Sequence, residues 1–389
     1  MPRNGRWTGA SNPLDSVAGI DANQRRQQAR MFIGFLPIED RRRNPTYWAI
    51  CRGIASSATV LDLAELVPPP QFPQNVVFAA VHDVLLAGAD HELARHYRSV
   101  ASIRGIAYQP LGDRQLAELF ISFCRTHHDE LAVRCATRST QTNEVGRCAA
   151  IRAALCSLRV DRPVALLDVG CSAGLNLFVD AYGYEYGQVR AGEPAATPVL
   201  HCELAGVLPP LELPAVASRV GLDQSPIDPS DPIEVRWLLA CLWPDDVERF
   251  ERFRAAVAVA VSRRDEVTLV QGDMVESLGK AADRCDPAAH LVLFDTWSTA
   301  YLPPPRREEF ARAVERLAAQ RDLTWVTMEF PAVARDLGVL PIGVEHHHRG
   351  ASVVCITRYE RGRKTSSLAG EVHHHGRWLD WYREPLGIA

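Results

Sequence analysis

"ALLDVGCSAGLNLF", residues 165–178, runs from an apolar stretch into an acid, turns through Gly170 and Gly174, and resumes with apolar residues at helical spacing. A buried strand, a glycine turn and a helix in that order form the unit on which parallel α/β sheets hold small ligands. Backbone N–H groups at the turn and the helix start face whatever sits there. The stretch therefore predicts an α/β fold with a ligand at the turn.

The segments downstream repeat the pattern. "VASRVGLD", "EVTLVQGD", "HLVLFDT" and "LTWVTMEF" read as further short strands, separated by helix-like stretches such as "DPIEVRWLLACLW" and "PRREEFARAVERLAAQ". Strands joined by crossover helices imply a mostly parallel sheet. "SVVCITRYERG" reads as a last strand that can run antiparallel, before "GRWLDWYRE". Upstream, residues 23–155 show apolar steps of three and four, as in "VVFAAVHDVLLAG", and predict an all-helical N-terminal domain. Residues 1–22 are polar and aperiodic, which predicts a loose arm. The α/β domain is expected over 156–389, with an inserted flap around 180–215.

Composition narrows the classes of partner. With 389 residues, 47% hydrophobic, 23% charged and a net charge of -4, the chain has the make-up of a soluble globular protein. It carries no basic footprint for nucleic acid. No apolar run reaches the length of a transmembrane helix, so no membrane partner is expected. Ten scattered cysteines without a CxxC pair read as reduced thiols of a cytoplasmic protein. A small molecule is the expected partner, with a homodimer as the candidate assembly.

Each strand of the set ends in an acid: Asp168, Asp223, Asp273, Asp295 and Glu329. Polar residues at the carboxyl ends of parallel strands line the crevice where ligands collect, so a nucleotide-type ligand is expected there. Ser172 stands where a dinucleotide fingerprint would have its second glycine, which argues against a pyrophosphate and a nicotinamide enzyme.

The turn resembles the first motif of class I S-adenosylmethionine-dependent methyltransferases, usually close to "LDVGCGTG". "VGLDQSP" is similar to their second motif and "VQGD" to their third. The resemblance implies a Rossmann-like class I methyltransferase sheet, mostly parallel with about seven strands, behind the helical domain. It implies S-adenosylmethionine as cofactor. Asp223, with Gln224 beside it, would hold the ribose hydroxyls, and Asp273, with Met274 beside it, the adenine amino group. Gly170, Ser172 and Gly174 would let the backbone approach the methionine portion, whose amino group or turn Asp168 would orient. Asn176 would donate to the ligand or cap its helix. About fifty residues separate Asp168 from Asp223, more than a minimal βαβ unit of about thirty. An insertion is therefore needed, and Glu185 and Glu203 within it are alternative ribose acids.

The stretches "RRQQARMF", "NVVFAAVHDVLLAGADHELARHY", "TQTNEVGRCA", "LLDVGCSAGLNL", "RVGLDQSPIDPSDP", "RWLLACLWP", "AYLPP" and "HHHGRWLDWY" together resemble a family of uncharacterised bacterial proteins with methyltransferase-like C-terminal halves. After the fourth strand this chain reads "FDTWSTAYLPP" where "FHSA" is usual.

Further candidates sit in two motifs. "TQTNEVGR" supplies Gln141, Asn143, Glu144 and Arg147, either a polar floor for the cofactor and substrate or a helix cap. "DTWSTAYLPP" supplies Asp295 as base or amine anchor, with Trp297 and Tyr301 facing the sulfonium through cation–π attraction or serving as core. Asp295, Tyr301 and Glu144 are the candidate catalytic residues. Trp297, Glu329 and His82 are the candidate substrate contacts, Glu329 otherwise reading as a cap of the next helix and His82 as a hydrogen-bonded core residue. The runs 346–348 and 373–375 read as turn histidines, His375 as part of a lid, and no metal site is expected. The expected reaction is methyl transfer to N, O or C of a small molecule by in-line displacement under a helical lid. Alternatives are an intramolecular displacement releasing methylthioadenosine and a cofactor-binding regulator without turnover.

Overall fold

The computed structural model describes residues 22–36 and 42–387. The arm expected over 1–22 lies, but for Ala22, outside them. The chain divides into two compact units: one ends at Thr142 and includes Arg236–Glu251, the other spans Asn143–Val235 and resumes at Arg252.

The first unit holds α1 (Ala22–Ile33), α2 (Pro45–Ile54), α3 (Ala58–Glu65), α4 (Pro73–Leu86), α5 (Arg98–Arg104), α6 (Asp113–Thr126) and α7 (His128–Thr137). Pro at the first turns of α2 and α4 suits positions whose N–H groups have no helical partner. Every residue of α4 from Val76 to Leu85 is buried, so this helix is the axis of the core. Tyr47 stacks on Phe78 with ring centroids 4.4 Å apart, and Phe120 meets the same ring edge-on at 5.8 Å. Of the polar residues buried on α4, His82 and Asp83 are both satisfied. His82 pairs with Ala240 O at 3.1 Å and Ser99 Oγ at 2.8 Å. Asp83 is held by Arg134 and Arg236, each at 2.8 Å. Burial lowers the His82 pKa to about 4 and keeps the ring neutral.

The second unit is built on one sheet, and here the expectation fails. Among the described residues the sheet has eleven strands and is mixed, not the seven-stranded, mostly parallel Rossmann-like sheet of class I methyltransferases. Its strands are β1 (Val164–Val169), β2 (Gly183–Tyr186), β3 (Val189–Ala191), β4 (Val199–Gly206), β5 (Val216–Asp223), β6 (Val267–Gln271), β7 (His290–Thr296), β8 (Leu323–Glu329), β9 (Ser352–Glu360), β10 (Arg363–Val372) and β11 (Trp378–Gly387). Their order is β3-β2-β4-β11-β10-β9-β8-β7-β1-β5-β6. The five strands from β6 to β8 in that order are parallel. Beyond them β9, β10 and β11 alternate in direction. β11 then pairs in parallel with β4, which pairs with β2, while β3 closes the edge antiparallel.

The physical reason lies in the inserted segment and the C-terminal stretch. The segment around 180–215 spends its backbone groups in β2, β3 and β4, and extends the sheet through the β4–β11 ladder. Fully buried β1, β7 and β8 read as continuous apolar runs. β4 is half-exposed, and β10 begins with exposed polar residues, so neither carries that signal. Helices α8 (Cys148–Cys156), α9 (Pro232–Ala240), α10 (Val247–Ser262), α11 (Leu278–Ala282), α12 (Pro304–Ala318) and α13 (Pro331–Asp336) complete the chain. α12 lays Phe310 edge-on against Trp325 of β8 at 5.6 Å. All ten cysteines are free thiols, nine of them buried. Among the described residues no helix is long and apolar enough to cross a membrane.

Candidate functional site

The chain leaves β1 between β5 on one side and β7 on the other, so β1 is the point where the parallel strand order reverses. In open sheets that reversal opens a crevice beyond the carboxyl ends of the strands. The glycine turn occupies it. Gly170, Ser172 and Gly174 adopt φ of 82°, 52° and 68°, a left-handed path that glycine takes at no steric cost and serine does not. At Gly170 a Cβ would also run into the Ser298 side chain. Ser298 Oγ donates to Val169 O at 2.7 Å and fastens the loop after β7 to the end of β1.

Asp223 holds the turn from the other side. Its two carboxylate oxygens accept from Ser172 N and Ser225 N, each at 2.8 Å. Each oxygen keeps a further lone pair. Asp168 is buried at the end of β1, and its Oδ2 has no hydrogen-bond partner. Burial, then the Asp223 charge, push its carboxyl well above the usual range, against the pull of Arg147. Asn143 donates through Nδ2 to Cys171 O at 2.9 Å, and its buried Oδ1 is likewise without a partner. Asn176, on the short helical turn after Gly174, receives the Cys148 thiol on Oδ1 at 3.3 Å.

The acids of β7 and β8 form a buried pair. Asp295 Oδ1 accepts from Trp325 Nε1 at 2.5 Å. Thr299 Oγ1 lies 2.8 Å from Glu329 Oε1 and 3.3 Å from Asp295 Oδ2, and Thr299 N donates to Glu329 at 2.9 Å. Glu329 Oε2 has no partner. Burial raises both carboxyls far above the ordinary range, and Asp295 further raises Glu329. Two carboxylates this close in low dielectric cannot both ionise cheaply. Both are thereby biased toward the protonated form.

Arg147 fixes the wall nearby. Its guanidinium donates to Thr296 O at 2.7 Å and His374 O at 3.1 Å, and lies 5.8 Å from the Trp297 ring centre. Trp297, at φ 61°, donates to Ser352 Oγ at 2.7 Å and packs on Phe330. Glu144 accepts from Gly146 N at 3.0 Å and pairs with His375 at 3.5 Å and Arg252 at 3.4 Å.

The expected residues thus divide. Asp168, Gly170, Ser172, Gly174, Asn176, Asp223, Asn143, Glu144, Arg147, Asp295, Trp297 and Glu329 belong to the sheet unit and gather about the strand ends. Asp273 accepts from Val275 N at 2.7 Å and Arg306 at 2.8 Å; against burial, its hydrogen bonds with Glu276 and Val275 and the Arg306 charge lower its carboxyl to about 2. Gln224 reaches it at 3.4 Å, while Met274 packs into the core. Tyr301 is exposed. Gln141 and His82 belong to the helical unit. Sequence reasoning passed over Ser298 and Thr299, whose signal was two hydroxyl residues directly after a strand ending in an acid. The histidines 347 and 348 give their backbone N–H groups to Glu371. Among the described residues no three His, Cys, Asp or Glu side chains gather as a metal ion would need.

A family described as "Uncharacterized protein conserved in bacteria (DUF2332)" matches residues 29–381. The chain belongs to this family. The match runs from α1 to β11, so the DUF2332 pattern takes in both units and every residue of the site. No curated protein matches the sequence.

Proposed function

We propose that this DUF2332 protein is an S-adenosylmethionine-dependent transferase acting on a small molecule in the cytoplasm. The observation that carries the reading is the pair of buried acceptor oxygens, Asp168 Oδ2 and Asn143 Oδ1, left without a donor at the glycine turn. Buried acceptors of this kind are satisfied in a working protein. A ligand bringing N–H donors and positive charge suits them, and an α-ammonium group brings both. A phosphate would meet the Asp223 carboxylate at the turn and be repelled.

When bound, the cofactor supplies an electrophilic methyl group on a positively charged sulfur. The backbone of the Gly170–Gly174 turn would hold its methionine portion, with Asp168 and Asn143 on the ammonium. Asp223 would take the ribose hydroxyls on its remaining lone pairs. The Trp297 ring offers a face to positive charge. Glu329 Oε2 is an acceptor for an N–H or O–H of the substrate, which positions it rather than activating it by strong base chemistry. Alignment and exclusion of water would then carry most of the rate.

A binding protein without turnover is the second reading. It is favoured by one observation: Asp295, Glu329 and Glu144 are all buried and engaged in bonds inside the protein. Calorimetric titration with S-adenosylmethionine, followed by mass spectrometry of products after incubation with small-molecule acceptors, tests both. Adenosylhomocysteine supports methyl transfer, and methylthioadenosine points to intramolecular displacement. Saturable binding with neither product favours the second reading, and absence of binding overturns both.

A further inference from the structure

The opposite ends of the same strands carry a second cavity, of about 670 Å³. Its wall is formed by the loop 159–162 that leads into β1, by His290 at the start of β7, by Asp322 just before β8, and by the β9–β10 hairpin. Five arginines line it, Arg159, Arg162, Arg358, Arg361 and Arg363, against the acids Asp161, Asp322 and Glu360. The chain as a whole has 43 basic and 47 acidic residues, so this excess of cations is local and of opposite sign to the protein.

The arginines are also unspent. Among the described residues none of the five guanidinium groups makes an ion pair or a hydrogen bond. Elsewhere in this unit Arg219, Arg263, Arg306 and Arg307 are each paired to carboxylates at 2.6–3.1 Å. Arg358 is the telling case. It is half-buried at the end of β9, where burial disfavours its cationic form, Glu360 supports it and the Arg159 charge opposes it. A partly desolvated guanidinium beside a like charge is costly unless an anion joins it. Glu360 acts on Arg358 without forming an ion pair, and Asp322 accepts the Arg361 backbone N–H at 2.8 Å.

We propose that this cavity binds the phosphate group of a small organic phosphate. Forked guanidinium donors match phosphate oxygens, and a lining with five cations and three acids balances a phosphate of charge about −1.5 to −2 near neutral pH. The volume falls in the range of about 300–1,000 Å³ usual for small-molecule sites, enough for a phosphate and one ring. The acids at the rim supply acceptors for ring hydroxyls. S-adenosylmethionine has no phosphate, so this site stands independently of the function proposed above.

Isothermal titration of the full chain with ribose 5-phosphate, inorganic phosphate and ribose tests the assignment. Ribose 5-phosphate is expected to saturate and ribose not to bind. Equal affinity for inorganic phosphate would identify free phosphate as the source of the anion, and weaker affinity an organic ester. R358Q and R159A should each weaken binding about tenfold or more, the loss of one charge-assisted pair. R358K should recover part of it. Thermal melting of each variant verifies the fold. Absence of saturable binding by either phosphate at millimolar concentration, or R358Q and R159A proteins that are folded and bind as the parent does, would overturn the proposal.

Discussion

Gly146 and Gly376 stand backbone to backbone. A Cβ on Gly376 would run into the Gly146 carbonyl, and one on Gly146 into the carbonyl of His375. This approach brings the turn between β10 and β11 onto the segment that carries Asn143, Glu144 and Arg147, and lets His374 O accept from Arg147. Gly376→Ala should therefore cost about 2–3 kcal/mol of stability, combining overpacking with a left-handed backbone. Gly362→Ala is the comparison, because Gly362 has φ 78° but nothing within 4 Å of a Cβ. It should lose only about 1 kcal/mol. Urea unfolding midpoints at constant slope measure both, and equal losses would count against the close approach.

Thr299 joins two buried acids, so its hydroxyl should matter more than its size. Thr299→Val keeps the shape and leaves Glu329 and Asp295 short of a partner. The expected loss is about 1–3 kcal/mol, with Thr299→Ser close to the parent. Thermal unfolding followed by circular dichroism would decide, and a Val variant as stable as the Ser variant would remove the bridge from the account.

Asp295 and Glu329 also set a pH dependence. Both pKa values are raised in the folded state, so the fold binds more protons than the unfolded chain. Their stabilising contribution is complete below the ordinary carboxylate range and declines as pH rises through the raised folded values. Glu329→Gln should flatten that decline between the carboxylate range and neutrality. Denaturation free energies across that interval provide the measurement, and an unchanged slope would contradict the pairing.

Asp168 yields a prediction on binding. Its carboxyl is raised by burial and by Asp223, so a cationic ligand must first displace a proton. Affinity for S-adenosylmethionine should rise with pH and level off once pH passes the raised value of Asp168 or the ligand's own amine starts to deprotonate. Asp168→Asn should weaken binding about tenfold and remove the rise. Asp223→Ala should weaken it by a similar factor while leaving the pH trend of Asp168 visible. Calorimetry at several pH values separates the two, and a parent affinity independent of pH would refute the role given to Asp168.

β1, β7 and β8 were legible because burial on both faces leaves a plain apolar record, as in "VALLDV" and "HLVLFDT". The glycine turn and its acids were legible for the same reason, being fixed to the ends of those strands. β9 was also legible, as the antiparallel strand in "SVVCITRYERG", whereas β2, β3 and β10 were not. β2 and β3 have four and three residues, and β10 opens with "RKTSS", so pairing partners far away decide their conformation. Thr299 was hidden because its importance needs Glu329, which only the folded sheet brings to it. Arg147 showed as a polar residue of interest, but its acceptors are the carbonyls of Thr296 and His374. Gly146 and Gly376 read separately as ordinary punctuation.

Because the turn before β11 supplies one wall of the site, the order of synthesis constrains when that site can exist. The glycine turn after β1 leaves the ribosome roughly two hundred residues before Gly376 does, while β4 waits equally long for the strand that covers its edge. A nascent chain stalled anywhere between would carry the acids around the glycine turn without the wall that later encloses them.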